Sequence, residues 1–221
     1  MGLELDAVGE TGLKFYGKIC AALTHEMKNA LAIINENVGL LEDYNLMAQR
    51  GTPLTPERFT ILSRRMVEQV DRANTLLKVM NQFSHGVDTW VEEVDLNELL
   101  SFVSMLSQRF AAQRGVSVEV ESPGQKVTVT TSPFLLQNLI WCCMDFAMDA
   151  MGTGNDLRLK AESTPAGGQV TLSASNDSLA DAVDRLSQYC EGALVDALQV
   201  KIETDTRSGP LVLILPKRIP Q

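Results

Sequence analysis

Cysteine is scarce and badly spaced for chemistry. The 221-residue chain has four, Cys20, Cys142, Cys143 and Cys190, and none forms a C-x-x-C pair. Zinc and thiol-redox motifs therefore lack their spacing, and the thiols read as apolar side chains in a reducing cytosol. No apolar run is long enough to cross a bilayer. The start, "MGLELDAVGETGLKFYGK", has neither a basic opening nor an apolar stretch, so it does not read as a signal peptide. Asp6 stands where a myristoylation signal needs Ser or Thr. Positive charge is also in deficit. A net charge of −9 and a pI near 4.8 argue against broad nucleic-acid binding. Internal repeats and low-complexity tracts are absent. These absences lead to an expectation of a cytoplasmic globular chain with no membrane segment.

What is present is a change of period partway along. Residues 1–12 are polar and read as a flexible lead-in. From 13 to about 48 apolar residues recur every three or four positions, with Ile19, Leu23, Met27, Ala30, Ile34, Val38 and Leu41 as a seam. Gly51 suits a helix C-cap, Thr55 an N-cap and Pro56 a first turn. A second helix, about 56–83, carries a matching seam of Phe59, Leu62, Met66, Val70, Ala73, Leu77 and Met80. Two long helices and a short loop predict an antiparallel hairpin spanning 13–84. One hairpin buries only part of its stripe, so a homodimeric four-helix bundle is expected.

Residues 85–93 read as a linker. Residues 94–221 form a second domain with strands beside helices, an α+β sandwich. Its first helix, 95–115, has Asp95 as N-cap, Glu98 as capping-box partner and Gly115 at its end. "VSVEVES" and "KVTVTTS" alternate like strands joined by a Pro-Gly turn. "SPFLLQNLIWCCMDFAMDAM" reads as a buried helix, followed by a hairpin of "DLRLKAES" and "QVTLSASN". "SLADAVDRLSQYCEGALVDAL" supplies one or two short helices, and "VKIETDT" and "PLVLILP" close the chain as strands.

One cluster stands apart from this packing logic. In "ALTHEMKNALAIINENVGLL" His25, Glu26 and Asn29 lie within five residues. His25 sits about 200° from Leu23 and Met27 on a helical wheel, so it points away from the seam. Asn29 shares its stripe at i+4 and Glu26 flanks it. A zinc pair would need histidine at 29, so that chemistry fails. Two readings stay open: ordinary surface polarity, or a nucleophilic imidazole whose second ring nitrogen is held by a carboxylate.

The stretch "LTHEMKNALAIINENVGLL" resembles the H-box of bacterial two-component histidine kinases. "VDLNELLSFVSMLSQRFAAQRGVSVEVES" is similar to the entry into their ATP-binding domain, "LLQNLIWCCMDFAMDAM" to their N-box helix, and "SGPLVLILP" to their closing strand. The resemblance implies that His25 accepts phosphoryl groups, that Glu26 assists transfer, and that Asn29 serves dephosphorylation of a partner regulator. Lys18, Ala21, Ala22, Lys28 and Ala32 would form the surface that a partner touches. Ala30 replaces a proline common in the family, so a straighter helix is expected there.

The same comparison exposes departures around ATP. Phe146 falls on the Mg²⁺-binding asparagine of the N-box, and phenylalanine cannot hold a hard cation. Ser175, Asn176 and Asp177 stand where an aspartate followed by spaced glycines is needed, and Gly192 alone remains for a second glycine-rich box. "MGTGND" follows its helix and reads as a cap and turn rather than a phosphate loop. Asp145 and Asp149, at i and i+4, read as a solvated flank or a remnant metal pair. His85, in the linker, reads as a surface residue. The resemblance is then closest to dimeric histidine phosphotransferases of phosphorelays, with a degenerate kinase-like second domain. The expected partners are response-regulator receiver domains, with no nucleic acid. No cofactor or metal site is expected in this chain, because Mg²⁺ would be supplied by the receiver. An atypical ATP-dependent kinase core and a non-catalytic scaffold that binds a regulator remain as alternatives; autokinase activity is not expected. Lys14, Lys18 and Lys28 make the His25 stripe basic. Charge reversal at Lys18 and Lys28 is expected to slow association with an acidic receiver by on the order of tenfold at low salt. Unchanged association rates would remove the steering role.

Overall fold

Two periodicities in the sequence become two units in the molecule. The computed structural model describes residues 2–52, 55–121, 124–176, 179, 186, 192–204 and 209–219. Residues 17–85 make one unit, and residues 1–16 with 86–221 make the other.

The first unit is a helical hairpin. Helix α1 (Gly2–Gln49) ends where Gly51, at φ 93°, lets its N–H reach the Ala48 carbonyl. Helix α2 (Pro56–His85) starts with Thr55 Oγ1 accepting the Arg58 N–H at 3.4 Å. The seam buries Ile19, Leu23 and Ala30 on α1 and Leu62 and Phe83 on α2. The Arg58 guanidinium lies 5.5 Å from the Tyr44 ring centre near the turn. Four residues expected in the seam are instead exposed: Val38, Phe59, Val70 and Leu77. Asn37 is buried in place of Val38, its amide donating to the Ile33 carbonyl at 2.6 Å. The apolar stripe is wider than one helix contact needs, so part of it is left facing outward.

The second unit takes the start of α1 with it. Where a lead-in through residue 12 and a hairpin from 13 were expected, the helix already runs from Gly2. Phe15 explains why its first sixteen residues side with the α/β unit. Its ring is 1% exposed and sits 5.6 Å from Phe134 and 5.5 Å from Trp141.

Strand β1 (Glu92–Asp95) leads into α3 (Leu96–Arg114). Asp95 caps α3 by accepting the Asn97 N–H at 2.8 Å, as its position predicts. Gly115 ends the helix at φ 64°, and a Cβ there would lie 2.7 Å from the Thr153 side chain. Then come β2 (Ser117–Val120), β3 (Thr128–Thr131), α4 (Pro133–Met151), β4 (Asp156–Thr164) and β5 (Gly167–Ala174). Helix α5 (Gly192–Leu198), β6 (Lys201–Thr204) and β7 (Leu211–Pro216) complete the chain. The remainder of the expected 178–198 helical segment, apart from residues 179 and 186, lies outside the described residues.

Five strands form one sheet in the order β2-β4-β5-β7-β6, antiparallel except for the parallel β2–β4 pair. Leu157, Leu159, Val170, Leu172, Leu211, Leu213 and Leu215 alternate inward along the strands. The buried residues of α3 and α4, among them Leu100, Val103, Leu139, Ile140 and Met144, complete this core. Strands β2 and β3, read as neighbours across a Pro-Gly turn, do not pair. Strand β3 pairs antiparallel with β1, which begins in the segment read as linker, and β2 pairs with β4. The cause is local. Leu96 N donates to the Val127 carbonyl at 2.8 Å and the Asn97 amide to the Gln125 carbonyl at 3.0 Å, which pulls this stretch onto the start of α3.

Candidate functional site

The seam sets the rotation of α1 and so decides which residues are presented. Ile19, Leu23 and Ala30 face α2, while Leu31 and Val38 form an exposed apolar stripe. His25 is on a third face, about 120° from Leu31 at 100° per residue. His25 and Asn29 are both exposed, as are Lys18, Ala21, Lys28 and Ala32. Ala22 differs from its expected place. It is 8% exposed, because it lies about 60° from His25 toward the seam. The surface around His25 is therefore made without Ala22.

Glu26 points to the other flank, toward α2. Its Oε2 accepts a hydrogen bond from Arg72 Nη2, an ion pair that spans the hairpin. The Glu26 side chain is 20% exposed and that of Arg72 50%. The carboxylate expected to orient the imidazole thus has an arginine on it. Arg72 escaped sequence reasoning because nothing in the period of α2 distinguishes it from Arg64 or Arg65. Only the register between the helices singles it out.

The family resemblance raises Mg²⁺ and ATP, and the described residues around α4 do not fit them. Phe146 is 3% exposed and has no donor atom. Of Asp145 and Asp149, read as a solvated flank or a metal pair, Asp149 is exposed and Asp145 buried. Arg114, from α3, binds Asp145 at 2.8 Å and Asp149 at 2.5 Å. Burial works against the Arg114 charge. Hydrogen bonding and attraction from Asp149 and Asp145 outweigh it and hold the guanidinium pKa above its ordinary value. A protein cation thus satisfies both carboxylates.

Polar groups near the adenine-box position are likewise engaged. Ser175 Oγ accepts the Asp156 N–H at 3.0 Å and donates to Asn155 Oδ1 at 3.2 Å, and the Asn176 amide donates to the Met151 carbonyl at 3.2 Å. Asp177 lies outside the described residues. "MGTGND" is the expected cap and turn, with Gly152 and Gly154 at φ 73° and 84° and Gly154 N donating to the Gly115 carbonyl at 2.8 Å. A cleft of about 490 Å³, lined by Leu13, Tyr16, Val87, Trp90 and Phe134, is almost wholly apolar and offers nothing to a triphosphate. Among the described residues, no group of three or more His, Cys, Asp or Glu could hold a metal ion, and no helix is long and apolar enough to cross a membrane.

The Arg114 contacts predict a stability effect. Arg114→Ala leaves two neighbouring carboxylates, one of them largely buried, without their cation. It is expected to cost about 2 kcal/mol in urea unfolding. A cost below about 0.5 kcal/mol would mean that the pair is solvated after all.

No protein-family profile and no curated protein matches the chain. Solved structures do. The nucleotide-free catalytic domain of histidine kinase ThkA is 18% identical over 59% of this chain and 99% of its own, with a TM-score of 0.48. A bacterial phosphotransferase is 12% identical over 91% of this chain and 95% of its own, with a TM-score of 0.48. ThkA in complex with the response regulator TrrA is 17% identical over 93% of this chain and 63% of its own, with a TM-score of 0.44. At such identities no residue role carries across, and the chain is similar to these proteins without being assigned to a family.

Proposed function

We propose that this chain is a histidine phosphotransfer protein that relays phosphoryl groups between receiver-domain aspartates through His25. The observation that carries the reading is the exposure of His25 on a face of α1 separate from both the hairpin seam and the apolar stripe. A rigid helix then presents the imidazole, and transfer depends on positioning and charge more than on covalent chemistry in the protein.

The step balances without a cofactor held by this chain. A lone pair on one ring nitrogen of neutral His25 attacks the phosphorus of a receiver aspartyl phosphate. The N–P bond forms as the P–O bond breaks, and that electron pair stays on the aspartate carboxylate. The proton on the other ring nitrogen stays with the ring, where a carboxylate can stabilise it. Attack by a second receiver's aspartate reverses the sequence. Mg²⁺ belongs to the receiver, and Asn29, one turn from His25, is placed to hold a water or a phosphoryl oxygen. Lys18, Ala21, Lys28 and Ala32 complete the docking surface. The complex of ThkA with TrrA is a precedent for a histidine kinase meeting a response regulator.

The exposed apolar residues supply the second element. Leu31 at 54% and Val38 at 42% exposure on α1, with Phe59 at 55%, Val70 at 46% and Leu77 at 49% on α2, are what a second hairpin would cover. A homodimeric four-helix bundle follows, with His25 outside it.

A second reading is an ATP-dependent histidine kinase core, the kind of protein from which the similar ThkA and AdeS structures come. Phe146 and the Arg114-bound aspartates weigh against it. The two readings separate on phosphoryl source. Labelled ATP alone is expected to leave the protein unlabelled, whereas a phosphorylated receiver labels it and His25→Gln abolishes the label. Label from ATP alone would establish the kinase reading, and activity that survives in His25→Gln would point to a scaffold. The dimer has its own measure. Light scattering is expected to give twice the chain mass, falling toward one chain in Val70→Glu; a monomeric native protein would remove the bundle.

A further inference from the structure

We propose that Arg72 is a phosphoryl-binding residue of the His25 site, held by Glu26 at rest and exchanged onto the phosphoryl oxygens during transfer. The inference rests on the reading of His25 as the phosphoryl acceptor and adds a residue from the opposite helix.

The starting observation is the ion pair from Arg72 Nη2 to Glu26 Oε2, one residue from His25 along α1. Glu26 and His25 project about 100° apart on α1, so the guanidinium has to swing on its flexible stem from the inward flank to meet what the imidazole carries. Stability does not account for the pair. Its arginine is half-exposed, and ion pairs in such settings contribute little, while the apolar seam already joins the helices. Exposure also leaves the arginine stem room to turn. The guanidinium has five N–H donors in a flat fork, and the contact with Glu26 uses Nη2.

Charge decides the direction of the exchange. A phosphoryl group brings close to two negative charges and three acceptor oxygens, against one charge on a carboxylate, and arginine matches that geometry with paired hydrogen bonds. Arg72 therefore moves to the phosphoryl group as it arrives. Once Arg72 has moved, the Glu26 carboxylate accepts a hydrogen bond from the ring N–H, which stays on the ring, as N–P bond formation makes the imidazole cationic. One guanidinium thus serves two anions in turn. Between transfers it neutralises Glu26, which would otherwise repel an incoming phosphate.

The partners of a purely structural ion pair should shift phosphorylation the same way when either is lost. Exchange predicts opposite shifts. Potassium phosphoramidate, a small histidine-phosphorylating donor, serves as the probe on the full chain, with His25 labelling followed by ³¹P spectroscopy. Arg72→Gln is expected to raise the half-saturating donor concentration by on the order of three- to tenfold. Glu26→Gln, which frees Arg72, is expected to lower it by on the order of threefold, and that gain disappears in the double variant. Arg72→Lys keeps the charge without the fork and falls between Arg72→Gln and the native protein. Circular dichroism checks that each variant is folded. Shifts of the same sign in Arg72→Gln and Glu26→Gln, or no shift in either, overturn the exchange while leaving His25 as acceptor. A native protein that takes no label at His25 from phosphoramidate or from a phosphorylated receiver overturns the acceptor reading, and this inference with it.

Discussion

Packing between α1 and α2 governs which side chains the hairpin presents, although none of the seam residues is itself presented. Burying Ile19, Leu23 and Ala30 against α2 locks the rotation of α1, and at 3.6 residues per turn every other position is then assigned a direction. Glu26 is turned inward to meet Arg72, His25 outward, and Leu31 and Val38 to a third side. A helix with a single apolar stripe and a single polar face could not turn exposed apolar residues and a polar stripe to separate sides together. The extra width of the apolar stripe, which displaced Val38, Phe59, Val70 and Leu77 from the seam, is what makes room for both.

The α/β unit has the opposite economy: its polar groups are turned to its own upkeep. Arg114 joins α3 to α4 through Asp145 and Asp149, and Ser175, Asn155 and Asn176 close the passage from α4 to β4 and from β5 onward. Phe146 fills core volume on α4. Its charged and amide side chains hold secondary structure together. The lobe is well packed, with α4 buried along most of its length. Hydrophobic layers carry its stability.

Much of this could be read from the chain alone, because periodicity and capping are local. The hairpin turn at Gly51 and Thr55, the α3 caps at Asp95 and Gly115, the β4–β5 hairpin and the outward direction of His25 all follow from residues within a few positions of one another. What could not be read depends on pairing between distant segments. Alternation marks β2 and β3 as strands but names no neighbours, and it took hydrogen bonds from Leu96 and Asn97 to carry β3 to β1. The Arg72–Glu26 contact joins residues 46 apart and Arg114–Asp145 residues 31 apart, and no local pattern encodes either. Sequence determined which faces each element has, since side-chain direction repeats with backbone geometry. Tertiary structure alone decided which faces meet, since that choice is settled by shape and charge across the fold.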